Sequence, residues 1–399
     1  MDFNDTPREA AFRAQARTWL NTFAHPYAKP AGTESEADFI KRARAWQKIK
    51  AEAGYAAIRW SKDEGGLDGT PIEEIIFTDE EAKFSVPVGP FVTIGTQLAV
   101  PTIRSHGNAS QINQFARATL YGDTLWCQLF SEPAAGSDLA GLRTRAVQDG
   151  GDWIVNGQKV WTSWAHVADW GILIARTDAS VPKHKGLSYF LVDMRSPGIE
   201  IRRIRQISGE SEFNEVFFTD VRIPDANRLG NVGDGWKVAM TTLMNERISV
   251  GGESQDLPQV ADLLSKLDAA EPAIAAPYRL FVAQMLAQEQ GLKYFRARQI
   301  TALSRGETPG PIAALGKLVQ ANLMQELSRI ALDVEGLSGH LTDHDDALVR
   351  KFQRGYFWSA ALRIAGGTDE ILRNQIAERV LSLPGDIRVD KEVPFSELK

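Results

Sequence analysis

One cysteine, Cys127, stands in 399 residues, so an internal disulfide is impossible and a reducing, cytoplasmic setting is expected. Long hydrophobic runs are missing as well. Nothing approaches the about 20 apolar residues that span a membrane, and Ile172-Leu173-Ile174-Ala175, flanked by polar residues, reads as a buried strand. The opening Met1-Asp2-Phe3-Asn4-Asp5 is acidic and has no apolar stretch, so no secretory leader is expected. Excess positive charge is absent too. With 45 basic and 51 acidic residues the net charge is −6, which argues against nucleic acid as a partner. No GxGxxG follows a predicted strand. Gly310–Lys317 has five residues between its glycines, and Leu318 stands where a phosphate loop needs a hydroxyl. His340 and His344 have the i, i+4 spacing of metal ligands, but they sit in a polar stretch that reads as a loop.

What is present is an ordinary globular balance, 43% hydrophobic and 24% charged, in a chain long enough for two or three domains. Residues 1–124 carry helical periodicity. Asp5-Thr6-Pro7-Arg8-Glu9 is a helix start, and Phe12, Ala16, Trp19, Leu20 and Phe23 share one face until Pro26. Further helices are predicted over Asp38–Ala53 and Ile72–Ala82, with another opened by Pro101 and closed by Gly107. Residues 125–228 change character. Trp126–Phe130, Asp152–Val155, Lys159–Thr162, Trp170–Ala175, Leu187–Val192, Ile199–Ile204 and Glu215–Phe218 read as short strands, with Asp149-Gly150-Gly151 and Asn156-Gly157 as tight turns. Such spacing predicts a small sandwich or barrel. From 229 to 399 the pattern is helical again. An apolar stripe from Leu315 to Val334 is stopped by Gly336, and Pro258–Pro277, with three prolines, reads as a looser insertion.

Three segments carry residues suited to chemistry. Ser131-Glu132-Pro133-Ala134-Ala135-Gly136-Ser137-Asp138 crowds small and hydroxylated residues after a strand; the plain reading is a long turn. Asn156–Trp164 places Trp161 and Ser163 on one strand face, which suits a flat heteroaromatic ligand and equally a barrel core. Ala365-Gly366-Gly367-Thr368-Asp369-Glu370-Ile371 opens a predicted helix whose free N–H groups suit anionic oxygens, or simply an ordinary cap.

Taken together and in this order, these segments resemble the acyl-CoA dehydrogenase family of flavoproteins, over about residues 3 to 384. Ser131–Asp138 is similar to the family's TEPGAGSD loop and Asp152–Ser163 to its W-x-x-N-G-x-K-x-W-I-T strand pair. Phe213–Gly235 is similar to the linking segment, and Gly366–Pro384 to the GGTNEIxRNxIAERVLGLP ending. The resemblance implies an α+β fold: an N-terminal helical domain (1–124), a central β-barrel (125–228) and a C-terminal domain built on a four-helix bundle (229–399). It implies FAD, with Phe130, Ser131, Trp161 and Ser163 at the flavin and Thr368 and Glu370 meeting the cofactor from the last helix. An acyl-CoA substrate would be met by Ser137, Arg247 and Gly367. An electron-transfer flavoprotein is the implied electron acceptor, and a homo- or hetero-oligomer, dimer or tetramer, the implied assembly.

The reaction needs a carboxylate to remove the proton α to the thioester carbonyl, and a base buried beside an apolar acyl chain has a pKa raised toward neutrality. Many members place that Glu just before the G-T of the last motif, where this chain has Gly366. A second subgroup, including isovaleryl-type enzymes, uses a Glu beside an Arg on an earlier helix, and Met244-Asn245-Glu246-Arg247 matches it, so Glu246 is the expected base. Two departures stand out. The R-x-x-F-G and Q-x-x-G-G runs through which a neighbouring subunit holds FAD read here Pro277-Tyr278-Arg279-Leu280-Phe281 and Asp333-Val334-Glu335-Gly336-Leu337, which leaves Arg279 as the expected phosphate contact. This resembles bacterial members that oxidise bulky or steroid side-chain acyl-CoAs, some as mixed complexes. The competing expectations are a non-catalytic partner subunit and a flavin monooxygenase on the same fold.

Overall fold

Thr6 and Glu9 close the first turn of the Pro7–Phe23 helix reciprocally. Thr6 N donates to Glu9 Oε2 (2.7 Å) and Glu9 N to Thr6 Oγ1 (3.3 Å), which satisfies two donors that a helix start leaves open. In this computed structural model, residues 5–30, 32, 34–249, 257–305, 307, 310–341, 344–387 and 389–398 are described. They divide into two compact units, Arg13–Ser249 with Asp386–Lys399, and Met1–Phe12 with Val250–Gly385.

In the first unit, the helices Glu36–Glu52 and Pro71–Glu81 follow the Pro7–Phe23 helix, close to their expected bounds. The helix expected to open at Pro101 starts earlier. Val92–Ala99 is wound as a π-helix and runs straight into Val100–His106. A proline has no N–H to give and its ring crowds the preceding turn. The wider winding, in which Val100 N reaches back to Gly95 O, carries the chain past it.

The sheet holds eight strands: β1 Trp126–Leu129, β2 Arg145–Asp149, β3 Asp152–Ser163, β4 Trp170–Arg176, β5 Leu187–Asp193, β6 Ile199–Arg203, β7 Phe213–Pro224 and β8 Arg228–Leu229. The order is β6-β7-β3-β2-β4-β5-β8, with β1 beside β4. The path ends at β6 and β8, so the expected barrel is not closed. Closure would need the two edge strands to pair, whereas β6 pairs only with β7 and β8 only with β5, and inside the path β2 meets β4 at one position, Arg145 with Arg176. Leu173, Ala175, Phe190 and Val192 then share a core with Trp153, Val155, Val216 and Val221 of β3 and β7. The alternate residues Ile172, Ile174, Tyr189 and Leu191 pack with Leu98, Ile103, Phe115 and with Val238 of the Gly235–Ser249 helix. β4 and β5 are covered on both faces, as their unbroken apolar sequence requires.

The Asp149–Asp152 turn is a hairpin, with Gly150 at φ 62°. Asn156-Gly157 is not a turn: β3 runs through it. β7 carries the extra residue opposite, with Asp220 at φ 50°, and Asn156 holds it by donating to Asp220 Oδ1 (2.9 Å) and accepting from Asp220 N (3.0 Å). Gly157 is required for closeness: a Cβ there would lie 2.4 Å from Thr144 Oγ1 and 2.7 Å from Thr144 Cα, at φ +154°. Gly157→Ala is expected to destabilise this unit by about 1–3 kcal/mol, read as a lowered urea midpoint with unchanged slope.

In the second unit, Val260–Ala269, Arg279–Ser304, Ala314–Glu335 and Ala347–Leu362 are helices that share one core. The stretch expected to be a loose insertion is helical in this core. Val260 and Leu263 are fully buried and Leu267 nearly so, an i, i+3, i+7 stripe, while Pro258 and Pro272 fall outside or at the start of helices. Gly336, at φ +71°, ends the Ala314–Glu335 helix as expected.

Candidate active site

A bulge in β3 builds the centre of the site. Between Lys159 and Thr162 the pairing with β7 slips, so Val160 and Trp161 together oppose Glu215. Trp161 takes φ 60°, a left-handed conformation that costs an L-residue about 1–2 kcal/mol. The result is an indole 58% exposed, edge-on to Phe213 (centroids 6.1 Å apart), with Thr162 turned inward and Ser163 half-buried. Strain that leaves a large apolar ring in solvent is characteristic of ligand sites. Val160 N donates to Ser131 O (2.9 Å), which ties the bulge to the Ser131–Asp138 loop. Phe130, buried, meets Tyr189 edge-on at 5.8 Å. The structure therefore brings Phe130, Ser131, Trp161 and Ser163 to one neighbourhood, with Ser137 exposed further along the loop.

Beneath this surface lies a buried ion pair that the sequence expectations did not single out. Lys159, fully buried, donates from Nζ to Glu132 Oε1 (2.9 Å) and Phe130 O (3.0 Å). Glu132 also accepts from the backbone N–H groups of Arg143 (2.7 Å) and Thr144 (2.8 Å). Burial works against both charges. It pulls Lys159 down to about 8, against the support of Glu132, while Lys159 and these N–H groups hold Glu132 below the usual carboxylate value in spite of burial. Both residues lie inside the segments singled out, and a lysine directly before Val160-Trp161 in a strand is the one signal sequence offers. Their pairing across the fold is invisible there.

Glu246 and Arg247 lie in the last turn of the Gly235–Ser249 helix; their side chains fall outside the described residues. One turn earlier, Thr242 fixes this helix through a chain of buried hydroxyls, with Thr102 Oγ1 and Tyr189 OH each 3.0 Å from Thr242 Oγ1. The same Tyr189 ring meets Phe130, so the helix bearing Glu246 is coupled to the strand end at the candidate flavin face.

In the second unit, Gly366 (φ 64°) and Gly367 (φ 99°) lead to Thr368, whose Oγ1 accepts from Ile371 N (3.2 Å) and caps the Asp369–Arg379 helix. Gly367 O accepts from Lys317 Nζ. Asp369, 2% exposed, takes Arg363 Nε (2.8 Å) and Asn322 Nδ2 (3.2 Å) on Oδ2, whereas its Oδ1 has no partner among the described residues. Glu370 and Arg279 are exposed. Asp369 is thus a structural anchor of the glycine turn that sequence reasoning missed; its position at the start of a helix was the only hint.

Comparison with known proteins gives a consistent match. Models of the acyl-CoA dehydrogenase N-terminal, middle and C-terminal domains match residues 6–123, 127–221 and 233–381. Acyl-CoA dehydrogenase FadE34 of Mycobacterium tuberculosis is 42% identical over 338 residues, 85% of this chain and 46% of that longer protein. Acyl-CoA dehydrogenase IpdE1 of the same organism is 37% identical over 385 residues, 94% of this chain and 98% of the relative. The solved structure of the Tcur3481-Tcur3483 steroid ACAD is 25% identical with a TM-score of 0.79, covering 97% of this chain and 100% of that one. Among the described residues no helix is long and apolar enough to cross a membrane.

Proposed function

The chain belongs to the acyl-CoA dehydrogenase family, and from that premise we propose that it oxidises an acyl-CoA thioester to the α,β-unsaturated thioester, with Glu246 as the base. The observation that carries this reading is the strained, exposed Trp161 beside Ser163, tied by backbone to Ser131. An apolar ring face with a hydroxyl beside it fits a flat heteroaromatic group, and members of the family are FAD-dependent flavoproteins. When bound, FAD supplies the acceptor for the hydride that leaves the β-carbon.

The chain's own residues do the rest. Trp161 offers apolar surface to the ring, Ser131 and Ser163 offer hydroxyl donors, and the buried Phe130 is assigned to the flavin by resemblance. Thr368, Glu370 and Arg279 are assigned to the cofactor by resemblance, and Ser137, Arg247 and Gly367 to the acyl-CoA. The Glu246 carboxylate takes the α-proton as the C–H pair becomes the new double bond. Hydrogen bonds to the thioester oxygen stabilise the charge that develops there.

Two features support a bulky acyl group, of steroid or branched type. Glycine replaces the usual carboxylate at 366, which frees volume, and a solved relative is a steroid ACAD. The names of two solved relatives join two proteins, one of them described as a complex, which supports a hetero-oligomer here; an electron-transfer flavoprotein is the acceptor that the family resemblance implies.

The test is the visible spectrum of the purified full chain, before and after anaerobic addition of acyl-CoAs. A flavin band that bleaches with a steroid-type thioester and responds weakly to butyryl-CoA is the expected result. A protein that binds FAD but bleaches with no thioester overturns the reading; one that stays colourless after FAD is added replaces it with that of a partner subunit.

A further inference from the structure

The Ser131–Asp138 loop is held at its inner end by the buried Glu132 and by Ser131 O, which accepts from Val160 N (2.9 Å), and at its outer end by charge. Between those ends its described backbone makes one reciprocal pair, Glu132 with Ala135 (2.9 and 3.0 Å). At the outer end, Asp138 Oδ2 accepts from Lys183 Nζ (2.9 Å). Lys183 is 9% exposed, and its Nζ is shared with Asp390 Oδ2 (2.6 Å), from the last stretch of the chain.

That stretch is clamped onto the same place. Phe395 N donates to Val181 O (2.9 Å) and Ser396 N to Ala179 O (2.8 Å), and Pro394 pairs with Pro182. The Phe395 ring lies 3.4 Å from the Arg176 guanidinium. Arg176, 5% exposed, spends its nitrogens on Leu142 O (3.1 Å), Lys183 O (3.2 Å) and Ala140 O (2.6 Å). One buried guanidinium thus holds both the exit of the loop and the backbone of Lys183, and Phe395 covers it. The lysine is buried but both carboxylates reach solvent, which screens the pairs and limits what they add to global stability. What these contacts do is fix where the loop ends.

We propose that Asp390 and Phe395 are positioning residues for acyl-CoA binding: acting through Lys183 and Arg176, they hold the outer end of the loop that carries Ser131 and Ser137. This rests on the assignment of that loop to cofactor and substrate. Ser137 is assigned to the bound thioester and not to the reacting atoms, so displacing it costs binding made equally in ground and transition states, which raises KM and leaves kcat unchanged.

The experiment uses the full-length, FAD-loaded protein with Asp390→Asn, Phe395→Ala and the conservative Asp390→Glu, and a thioester that bleaches the wild type. Expected are a KM raised about 10-fold in the first two, the loss of about one hydrogen bond, kcat within about twofold, unchanged flavin content, and faster amide exchange over 131–142, with Asp390→Glu close to wild type. Unchanged exchange in both variants, or faster exchange with an unchanged KM, overturns the proposal while leaving the dehydrogenase reading intact. A wild type that no thioester bleaches overturns that reading, and this proposal with it.

Discussion

Glu246→Gln is expected to lower kcat by about 10²–10⁴-fold, the usual share of a positioned general base. The substitution keeps the size and shape of the side chain and removes its ability to take a proton. KM for the thioester and the flavin spectrum of the resting protein are therefore expected to change little, and anaerobic stopped-flow is the measurement that separates these terms. Bleaching at the wild-type rate would place the base outside this residue. If the variant is silent only within a mixed complex, the partner there does not supply a base.

Lys159→Met is expected to cost about 3–5 kcal/mol, because it leaves a charged carboxylate buried without its cation. Glu132 keeps its two backbone donors, so the loss is not the whole desolvation penalty, and the double variant Glu132→Gln/Lys159→Met is expected to recover part of it. The readout is the midpoint of thermal or urea unfolding in four proteins, the wild type, Lys159→Met, Glu132→Gln and the double variant; additive losses would mean that the pair is not coupled. The pH dependence follows from Glu132. Its carboxyl sits below the ordinary 4.5 in the folded state, so its contribution to stability is complete above that value and is lost as pH falls further and the folded carboxyl is protonated. Lys159→Met is expected to flatten this acid limb. The consequence extends beyond stability. Lys159 also holds Phe130 O, so the variant is expected to loosen the strand end that faces the cofactor.

Much of the fold was legible because local signals and burial agreed. Thr6 and Glu9 read as a helix start and act as one. The apolar run at 172–175 reads as a strand covered on both sides, which it is. The expectations that failed did so where a local signal was overridden from a distance. Asn156-Gly157 is the usual hairpin pair, yet β7 opposite supplies the extra residue and Thr144 demands the glycine. Pro101 reads as a helix start because proline is favoured there, but wide winding before it lets a helix pass through. The stretch 258–277 reads as loose from its prolines alone, although its apolar spacing is helical. The barrel was expected from strand spacing, which counts strands and says nothing of whether the edge strands β6 and β8 pair.

The candidate site divides in the same way. By itself, the sequence determined the segments: the hydroxyl-rich loop after β1, the tryptophan strand, the glycine turn before the last helix, and the absence of a carboxylate at 366 with Glu246 beside Arg247. Each is a contiguous pattern, and contiguous patterns survive without knowledge of the fold. Tertiary structure alone decided that Trp161 is turned outward by a bulge, that Glu132 and Lys159 meet in the interior, and that Asp390 reaches Lys183. These depend on strand register and on partners 27 and 207 residues apart. A single residue of slip in register reverses the face of every side chain, and a buried charge declares its partner only when the chain has closed around both.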